Sequence, residues 1–405
     1  MTETGIESLL IRNARVLLPE GAVEGFGLLL AGGYIARVFG SGQSEAARAE
    51  RVLYLDNLTL MPGFIDIHIH GATGVDTMTA TPDDLHFVGR FLARHGVTAW
   101  LPTLVPAPEE GHRNAVRAIE QLTGEERLRP AAARVLGLHY EGPFVNSEQC
   151  GALRPQFFRT FSEATQLDAL PTVSAPNAVR MMTVAPEIEG GIELVRELKA
   201  RGWVVSLGHT RAPVDVLDRA RAAGARHMTH FFNAMSPLHH RAPGPIGWGL
   251  MCDEMTCDVI ADGVHCDPLM LRMLLRCKSS ERVSLISDAV APAGLGDGRY
   301  HLWGDTITVS GGRTQNSGGH IAGSVITLIN AVRMMLSLGV GVEEIARMGA
   351  LNPATLLGLD HLYGTIEEGR RADLVALDEE GNVRLTIVGG RVAFDAGLYN
   401  SPSDE

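Results

Sequence analysis

Residues 61–71, with the sequence MPGFIDIHIHG, constrain the fold of this chain more than any other segment. Side chains of a strand point alternately to its two faces, so the pattern predicts one polar face and one apolar face. The polar set is Asp66, His68 and His70, and the apolar set is Ile65, Ile67 and Ile69. Two imidazoles two residues apart near the end of a strand can bind one metal ion. In isolation such a pair is more often structural, so a metal site requires further ligands elsewhere.

The middle of the chain alternates buried strands with amphipathic helices, a pattern that favours a parallel sheet. The clearest helix is predicted over residues 83–95, after a Thr81-Pro82 start signal, with Leu85, Val88 and Leu92 on its buried face. The predicted strands are 64–70, 98–103, 135–141, 180–184, 204–209, 227–232, 257–262 and 283–288. Eight strand–helix units predict an α/β protein with a (β/α)₈ TIM barrel, and a doubly wound sheet is the alternative.

Both ends of the chain contain short strand-like segments. Residues 5–60 carry several apolar segments separated by glycine-containing turns, and residues 373–394 have a similar pattern. The sequence therefore predicts a small β-sandwich domain formed by residues 1–60 and 361–405. This domain would enclose a catalytic barrel domain of residues 61–360.

Charge and cysteine content limit the expected partners and location. The 405 residues carry a net charge of −12 without a block of lysine or arginine, which argues against nucleic acid and anionic membranes as partners. The five cysteines form no Cys-x-x-Cys motif, and residues 1–4 do not resemble the start of a secretion signal. We therefore expect a cytoplasmic protein with a small-molecule partner.

Several predicted strands end in a residue that can bind a metal ion, which is where the active sites of barrels lie. These residues are His68, His70, Glu141, His209, His230 and Asp288. Four imidazoles and two carboxylates suffice for two metal ions that share a bridging ligand and leave a position open for water. A lysine carbamate is a common bridge, but Lys199 and Lys278 lie in helix-like or loop-like surroundings. Glu141 is the better candidate.

Other residues near the strand ends are candidates for contact with substrate. His265 follows the seventh strand and is expected to meet substrate rather than metal. Asn233 and Ala234 follow the sixth strand, and Arg241 lies in the next loop. Together they offer backbone donors and a guanidinium group to an anion.

The remaining histidines have ordinary structural interpretations. His139 shares a strand face with Glu141 and is expected to support the site from the barrel interior, whereas His227 begins its strand and is expected to be structural. Surface or packing positions are predicted for His86, His95, His112, His239, His240, His301 and His361.

Taken together, these motifs resemble the amidohydrolase superfamily and, within it, the N-acetylglucosamine-6-phosphate deacetylase family. The resemblance rests on segments 62–71, 139–144, 208–210, 229–235, 261–265, 287–289 and 364–375, which occur in one order across nearly the whole chain. It implies that Glu141, His209 and His230 bind one divalent ion, zinc or iron. A second ion would be bound by His68, His70, Glu141 and Asp288.

The resemblance also implies roles toward the substrate. His265 would polarise the acetamide carbonyl, while Asn233 and Ala234 would receive the sugar phosphate. Arg241 would contact the same phosphate from the partner subunit of a homodimer. One position departs from the family, because Leu153 stands where a polar His or Gln is usual and cannot donate a side-chain hydrogen bond. Arg154 beside it is a candidate replacement.

The expected reaction is hydrolysis of N-acetyl-D-glucosamine 6-phosphate to glucosamine 6-phosphate and acetate. Asp288 would accept the proton of the attacking water and deliver it to the departing amine, since an amine leaves poorly unless it is protonated. The alternatives are a galacto or unphosphorylated N-acyl amino sugar, or another amidohydrolase reaction such as opening of a cyclic amide or deamination of a heterocycle. A metal-free ligand-binding relative is the alternative from another class.

Overall fold

The computed structural model describes residues 8–398, and its first strands belong to a sheet that both chain ends build. The interpretation of residues 1–4 and the outermost ends of the predicted sandwich domain lie outside the described residues. The N-terminal strands are β1 (Leu9–Leu18), β2 (Gly21–Ala31), β3 (Tyr34–Phe39), β4 (Arg51–Tyr54) and β5 (Thr59–Pro62).

Parallel strands of the middle segment form the barrel. The strands of this segment are β6 (Phe64–Ile69), β7 (Gly71–Ala72), β8 (Val75–Asp76), β9 (Val97–Leu104), β10 (Arg134–Val135), β11 (Gly137–Glu141), β12 (Val179–Val184), β13 (Val204–Leu207), β14 (His227–Met228), β15 (Thr256–Ile260) and β16 (Val283–Ile286). Of these, β7 and β8 form a hairpin, and the others pair in the order β6, β9, β11 to β16, with β10 beside β9. Each predicted strand is present, although the third is interrupted at Leu136 and the sixth ends at Met228.

The barrel closes between its first and last strands. The backbone N–H of Asp288 donates to the carbonyl of His68 at 2.9 Å, and Ile69 bridges to Ala289 in parallel. The closed circle of strands confirms the predicted TIM barrel, because the two edge strands of a doubly wound sheet do not meet.

The predicted alternation of side chains in β6 is wrong for the isoleucines. Ile65 and Ile67 pack in a cluster with side chains from β9, β12, β15 and β16, whereas Ile69 belongs to the cluster that includes the helices. The pairing of β6 with β9 shifts between Asp66 and Ile69, and such a bulge exchanges the faces of a strand beyond it. Asp66, which the pattern placed on one face with His68 and His70, accepts a hydrogen bond from the backbone N–H of Ser287 at 3.3 Å.

Helices surround the barrel and follow its strands. They are α1 (Pro82–Arg94), α2 (Glu109–Glu125), α3 (Thr165–Asp168), α4 (Gly191–Ala200), α5 (Val214–Ala223), α6 (Gly244–Met251), α7 (Pro268–Lys278), α8 (Leu328–Ser337), α9 (Val342–Ala346) and α10 (Asn352–Leu356). Helix α1 confirms the predicted start, because Thr81 and Asp84 form a reciprocal capping box. Across residues 8–398, none of the helices has both the length and the apolar composition needed to cross a bilayer.

One further sheet and the remaining strands of the N-terminal sheet follow the last barrel strand. Strands β17 (Gly298–Leu302), β18 (Asp305–Ser310) and β19 (Arg313–Gln315) form an antiparallel sheet that was not predicted from the sequence. Strands β20 (Leu374–Leu377), β21 (Val383–Val388) and β22 (Arg391–Asp395) complete the N-terminal sheet, with β20 antiparallel to β5. This sheet corresponds to the predicted small β-sandwich domain, and the residue limits of the two domains stay a prediction.

Gly63 connects the terminal sheet to the barrel and has no room for a side chain. Its N–H donates to the carbonyl of Asp373 at 2.9 Å, and a Cβ atom at this position would collide with the buried side chain of Thr98. Gly63→Ala is therefore expected to lower the free energy of unfolding by about 1–3 kcal/mol in chemical denaturation. Gly124→Ala is the matched control, because a Cβ atom there meets no atom of the described residues within 4 Å and α2 favours alanine. Equal stability of the two variants would contradict the explanation.

Candidate metal centre and active site

The predicted metal-binding side chains converge at the C-terminal end of the barrel, and all are buried. They are His68, His70, Glu141, His209, His230 and Asp288. Three of them follow their strands by two residues and have positive φ angles, 47° for His209, 31° for His230 and 48° for Asp288. Such conformations are uncommon for residues other than glycine, and they persist where the surrounding structure enforces them. Here they turn each side chain toward the barrel axis.

The first group of ligands centres on one oxygen of Glu141. Its Oε1 atom lies 2.8 Å from Nε2 of His209 and 3.0 Å from Nε2 of His230, and these two nitrogens are 3.1 Å apart. The other ring nitrogens face backbone carbonyls, Gln149 at 2.7 Å and Asn233 at 3.1 Å. A neutral imidazole that donates from Nδ1 has only a lone pair at Nε2. Two lone pairs and a carboxylate therefore face one another, an arrangement that requires protons or a metal ion between them.

The second group lies on the other side of Glu141. Nε2 of His70 is 3.4 Å from Oε2 of Glu141 and 3.2 Å from Oδ1 of Asp288. Nε2 of His68 is 3.4 Å from the same Asp288 oxygen and 3.2 Å from Nε2 of His70. The Nδ1 atoms of His209 and His230 face backbone carbonyls, whereas those of His68 and His70 are buried without a hydrogen-bond partner among the described residues. Glu141 thus stands between two sets of ligand atoms, as a bridging carboxylate must.

Burial and mutual contact shift the pKa values of these groups in opposite directions. Burial alone would raise the pKa of Glu141, but His209 and His68 hold it well below its usual range. Burial would lower the pKa of His70, but hydrogen bonds to Asp288 and Glu141 raise it to about 10. The pKa of His230 is likewise raised to about 9 against the effect of burial, chiefly by Glu141. In the absence of a metal ion, protons therefore balance the carboxylates.

The structural interpretations of His139 and His227 agree with the contacts of these two side chains. His139 is buried between the carbonyl of Ile67 at 3.0 Å and Oγ1 of Thr183 at 2.8 Å, and burial lowers its pKa to about 4. His227 pairs with Asp258 at 2.9 Å. Asp258 was not predicted from the sequence, and its second carboxylate oxygen accepts from the backbone N–H of His230. A carboxylate inside an otherwise apolar strand was the available signal.

The predicted substrate residues occupy the loops around this cluster. Nδ1 of His265 lies 2.7 Å from Oδ2 of Asp262, whose other oxygen accepts the backbone N–H of His265 at 2.7 Å. This contact leaves Nε2 of His265 available for another partner. The side chain of Asn233 donates to Sγ of Cys266 at 3.6 Å, and Ala234 has a positive φ of 50°.

The structure brings other candidates near the site to different degrees. Leu153 is 6% exposed and packs in the main hydrophobic cluster, so its lack of a polar group is consistent with a buried position. Arg154 stacks on the ring of Phe157 with 4.6 Å between the guanidinium carbon and the ring centroid. Arg241 is exposed in the loop before α6, and its predicted reach across a dimer interface stays a prediction.

The sequence analysis also missed Trp303. Its ring lies edge-on to the ring of His70, with 5.2 Å between centroids and 80° between the planes. It comes from the turn between β17 and β18, the sheet that the sequence did not predict. A large aromatic residue immediately before Gly304 was the only local signal.

The barrel, the four imidazoles and the two carboxylates define a metal-dependent hydrolase of the amidohydrolase type. The model of the amidohydrolase family matches residues 59–393, and the chain belongs to that family.

Relatives with assigned activities match almost the full length of the chain. N-acetylgalactosamine-6-phosphate deacetylase from Escherichia coli O157:H7 is 38% identical over 95% of this chain and 98% of the relative. N-acetylglucosamine-6-phosphate deacetylase from Bacillus subtilis (strain 168) is 34% identical over 96% of this chain and 98% of the relative.

Solved structures of N-acetylglucosamine-6-phosphate deacetylases have the same fold as this chain. N-acetylglucosamine-6-phosphate deacetylase from Thermotoga maritima superposes with a TM-score of 0.85 at 33% identity and covers 96% of this chain and 100% of its own. A variant of the enzyme from Mycobacterium smegmatis, in complex with N-acetyl-D-glucosamine-6-phosphate, superposes with a TM-score of 0.84 at 32% identity. That match covers 95% of this chain and 99% of the other.

Binding of a divalent metal ion is expected to release protons. At about pH 7 the raised pKa values of His70 and His230 keep both rings protonated in the metal-free protein, and a metal ion must displace those protons. Titration calorimetry with zinc in buffers of different ionisation enthalpy should therefore report release of roughly two protons per fully loaded subunit.

Replacement of His112 by Asn serves as the control for this titration. His112 is buried against the carbonyl of Val105 and lies outside the cluster, so the variant should release the same number of protons. A binding enthalpy that is independent of the buffer in the wild-type protein would show that the rings are already neutral.

Proposed function

We propose that this chain removes the acetyl group from N-acetyl-D-glucosamine 6-phosphate, giving glucosamine 6-phosphate and acetate in amino-sugar metabolism. The observation that carries the proposal is the convergence of four imidazoles on Glu141 beside Asp288 at the end of a barrel. The substrate is supported by the relatives, which include deacetylases of this sugar phosphate matched over most of their length.

The ligand sets follow the two groups around Glu141. His209, His230 and Glu141 would hold one divalent ion, zinc or iron, and His68, His70, Glu141 and Asp288 would hold a second. When bound, such ions lower the pKa of water and polarise a carbonyl oxygen. The first set is the better supported, because backbone carbonyls orient both of its imidazoles. We therefore expect it to retain its ion at lower metal concentration.

Asp288 is the group assigned to proton transfer. Its carboxylate oxygen lies 3.2–3.4 Å from two imidazole nitrogens. Its backbone is held on both sides, because its N–H donates to the carbonyl of His68 in β6 and its carbonyl accepts from the N–H of Ser324. This carboxylate would accept a proton from the attacking water and then donate it to the amine nitrogen of glucosamine 6-phosphate.

The remaining roles concern orientation of the substrate. For Nε2 of His265 to donate to the acetamide oxygen, both ring nitrogens must carry a proton, and the carboxylate of Asp262 beside Nδ1 would stabilise that charged ring. Asn233 and Ala234 would bind the phosphate, together with Arg241 from a second subunit of a homodimer. Arg154 would contact the sugar. The five free cysteines favour a cytoplasmic location.

Replacement of Asp288 by Asn should remove turnover and leave the fold intact. Loss of the proton acceptor is expected to lower kcat by about 10²–10⁴-fold, measured as acetate release by metal-loaded protein. Asp360→Asn, which changes an exposed acid far along the chain, should leave kcat unchanged. Wild-type turnover in the Asp288 variant would refute the role assigned to this carboxylate.

Replacement of Asp262 by Asn should weaken catalysis through His265. The amide keeps the shape of the side chain but cannot serve as a charged acceptor for both the ring and the backbone of His265. We expect a fall in kcat by about tenfold or more, with little change in KM or in metal content. A selective rise in KM would instead place His265 among groups that only bind substrate.

Comparison of substrates tests the assigned sugar against a second candidate. N-acetylgalactosamine 6-phosphate is the second candidate, because the relative from Escherichia coli O157:H7, which is 38% identical over 384 residues, is a deacetylase of that sugar phosphate. Acetate release should be fastest with N-acetylglucosamine 6-phosphate and much slower with unphosphorylated N-acetylglucosamine. Preference for the galacto epimer would transfer the assignment to that sugar, and absence of activity on all three would favour another amidohydrolase reaction.

A further inference from the structure

The turn between β17 and β18 contains a residue that is unfavourable for the turn itself. Leu302 pairs with Asp305, so Trp303 and Gly304 form a two-residue hairpin loop, with φ angles of 53° and 81°. Positive φ at both positions is the signature of a type I′ turn, for which Asn-Gly and Gly-Gly are the favoured sequences. A bulky residue with positive φ is an outlier. The presence of tryptophan is therefore better explained by the position of its side chain than by the turn.

This turn carries the indole ring to the rim of the metal-ligand cluster. The ring packs on a small hydrophobic cluster that includes Val290 and Ile307, and its edge contacts the ring of His70. The β17–β19 sheet is thus a platform that presents Trp303 beside a proposed metal ligand.

Two hydrogen-bond donors at this rim lack acceptors. Nε1 of Trp303 and Nε of Arg154 are both buried, and neither has a hydrogen-bond partner among the described residues. The two side chains are neighbours, because Nη1 of Arg154 lies 4.0 Å from the position that a Cβ atom would take at Gly304. Buried donors are nearly always paired in folded proteins, so unpaired ones at the edge of a site mark places for acceptor atoms of a ligand.

The nearest carboxylate does not satisfy the indole. Burial raises the pKa of Asp76, and the backbone N–H of Met78, the ring of His70, the indole N–H of Trp303 and Arg154 lower it to a smaller extent, so the indole N–H faces this carboxylate. However, the Trp303 N–H and the carboxylate of Asp76 do not meet with hydrogen-bond geometry. One oxygen of Asp76 accepts instead from the backbone N–H of Met78 at 3.0 Å.

We infer that the indole N–H of Trp303 donates to a ring hydroxyl of the amino-sugar substrate, with Arg154 as a second donor, so that the β17–β19 sheet determines sugar selectivity. The inference rests on the proposed function and extends it to the recognition of the sugar ring. A hydroxyl group fits a neutral N–H donor, and the aromatic ring offers an apolar surface to the C–H groups of a pyranose. Epimers that differ in one hydroxyl would differ in this contact.

The test compares Trp303→Phe with the wild-type protein on two epimers. Phenylalanine keeps an aromatic ring on the platform but removes the N–H donor. For N-acetylglucosamine 6-phosphate we expect KM to rise about tenfold with kcat nearly unchanged. The ratio of kcat/KM between this sugar and N-acetylgalactosamine 6-phosphate should move toward one. Arg154→Met should raise KM for the same sugar.

Trp203→Phe is the matched control. Trp203 packs against Tyr140 in the main hydrophobic cluster, away from the rim, so its replacement should leave the epimer ratio unchanged. If Trp303 had a purely structural role, the Trp303→Phe protein would bind less metal, and its kcat would fall equally for both sugars. That result would overturn the inference.

Direct binding separates this inference from the proposed function. The Kd of N-acetylglucosamine 6-phosphate is measured by calorimetry on Asp288→Asn protein with and without Trp303→Phe. Wild-type deacetylation combined with an unchanged Kd in the double variant would overturn the inference alone. Absence of both binding and hydrolysis for either sugar phosphate would overturn the inference and the proposed function.

Discussion

The structure depends on one buried carboxylate, Glu141, and on the cations that must surround it. A carboxylate taken out of water is costly unless it is paired, and removal of one partner from a buried pair is strongly destabilising. Here the pairing comes either from the protonated rings of His70 and His230 or from metal ions that the four imidazoles would hold. The end of the barrel is therefore stable only in charge states that balance Glu141 and Asp288, so the fold and the chemistry of the site rest on the same electrostatic balance.

Regular strands alone do not bring the ligands together. His209, His230 and Asp288 each lie two residues beyond a strand in a left-handed conformation, and backbone hydrogen bonds hold these turns. The carbonyl of His209 accepts from Asn146, for example, and that of Asp288 accepts from Ser324. The irregular pairing of β6 has a comparable effect, because it changes which side chains enter the barrel. Strain at the strand ends is thus offset by the network around it.

Sequence patterns predicted the barrel strands and the cluster of candidate metal ligands, because hydrophobic runs and polar strand ends are local features. The bulge in β6 was not predictable from alternation, since it arises from pairing with β9. Asp258 was missed because its partner, His227, lies 31 residues away and becomes a neighbour only when the sheet forms. Trp303 was missed for a similar reason, as short antiparallel strands with mixed polarity resemble a loop in sequence.

The shared terminal sheet has a consequence for the order in which the chain acquires its structure. Strand β5 continues through Gly63 into β6, which carries His68 and precedes His70. The antiparallel neighbour of β5, β20, follows the whole barrel in the chain. During synthesis the N-terminal segments emerge first, so β5 waits with one edge unpaired while the whole barrel is made. The ribosome must therefore synthesise the whole barrel segment before β20 can pair with β5 and support the strand that carries His68.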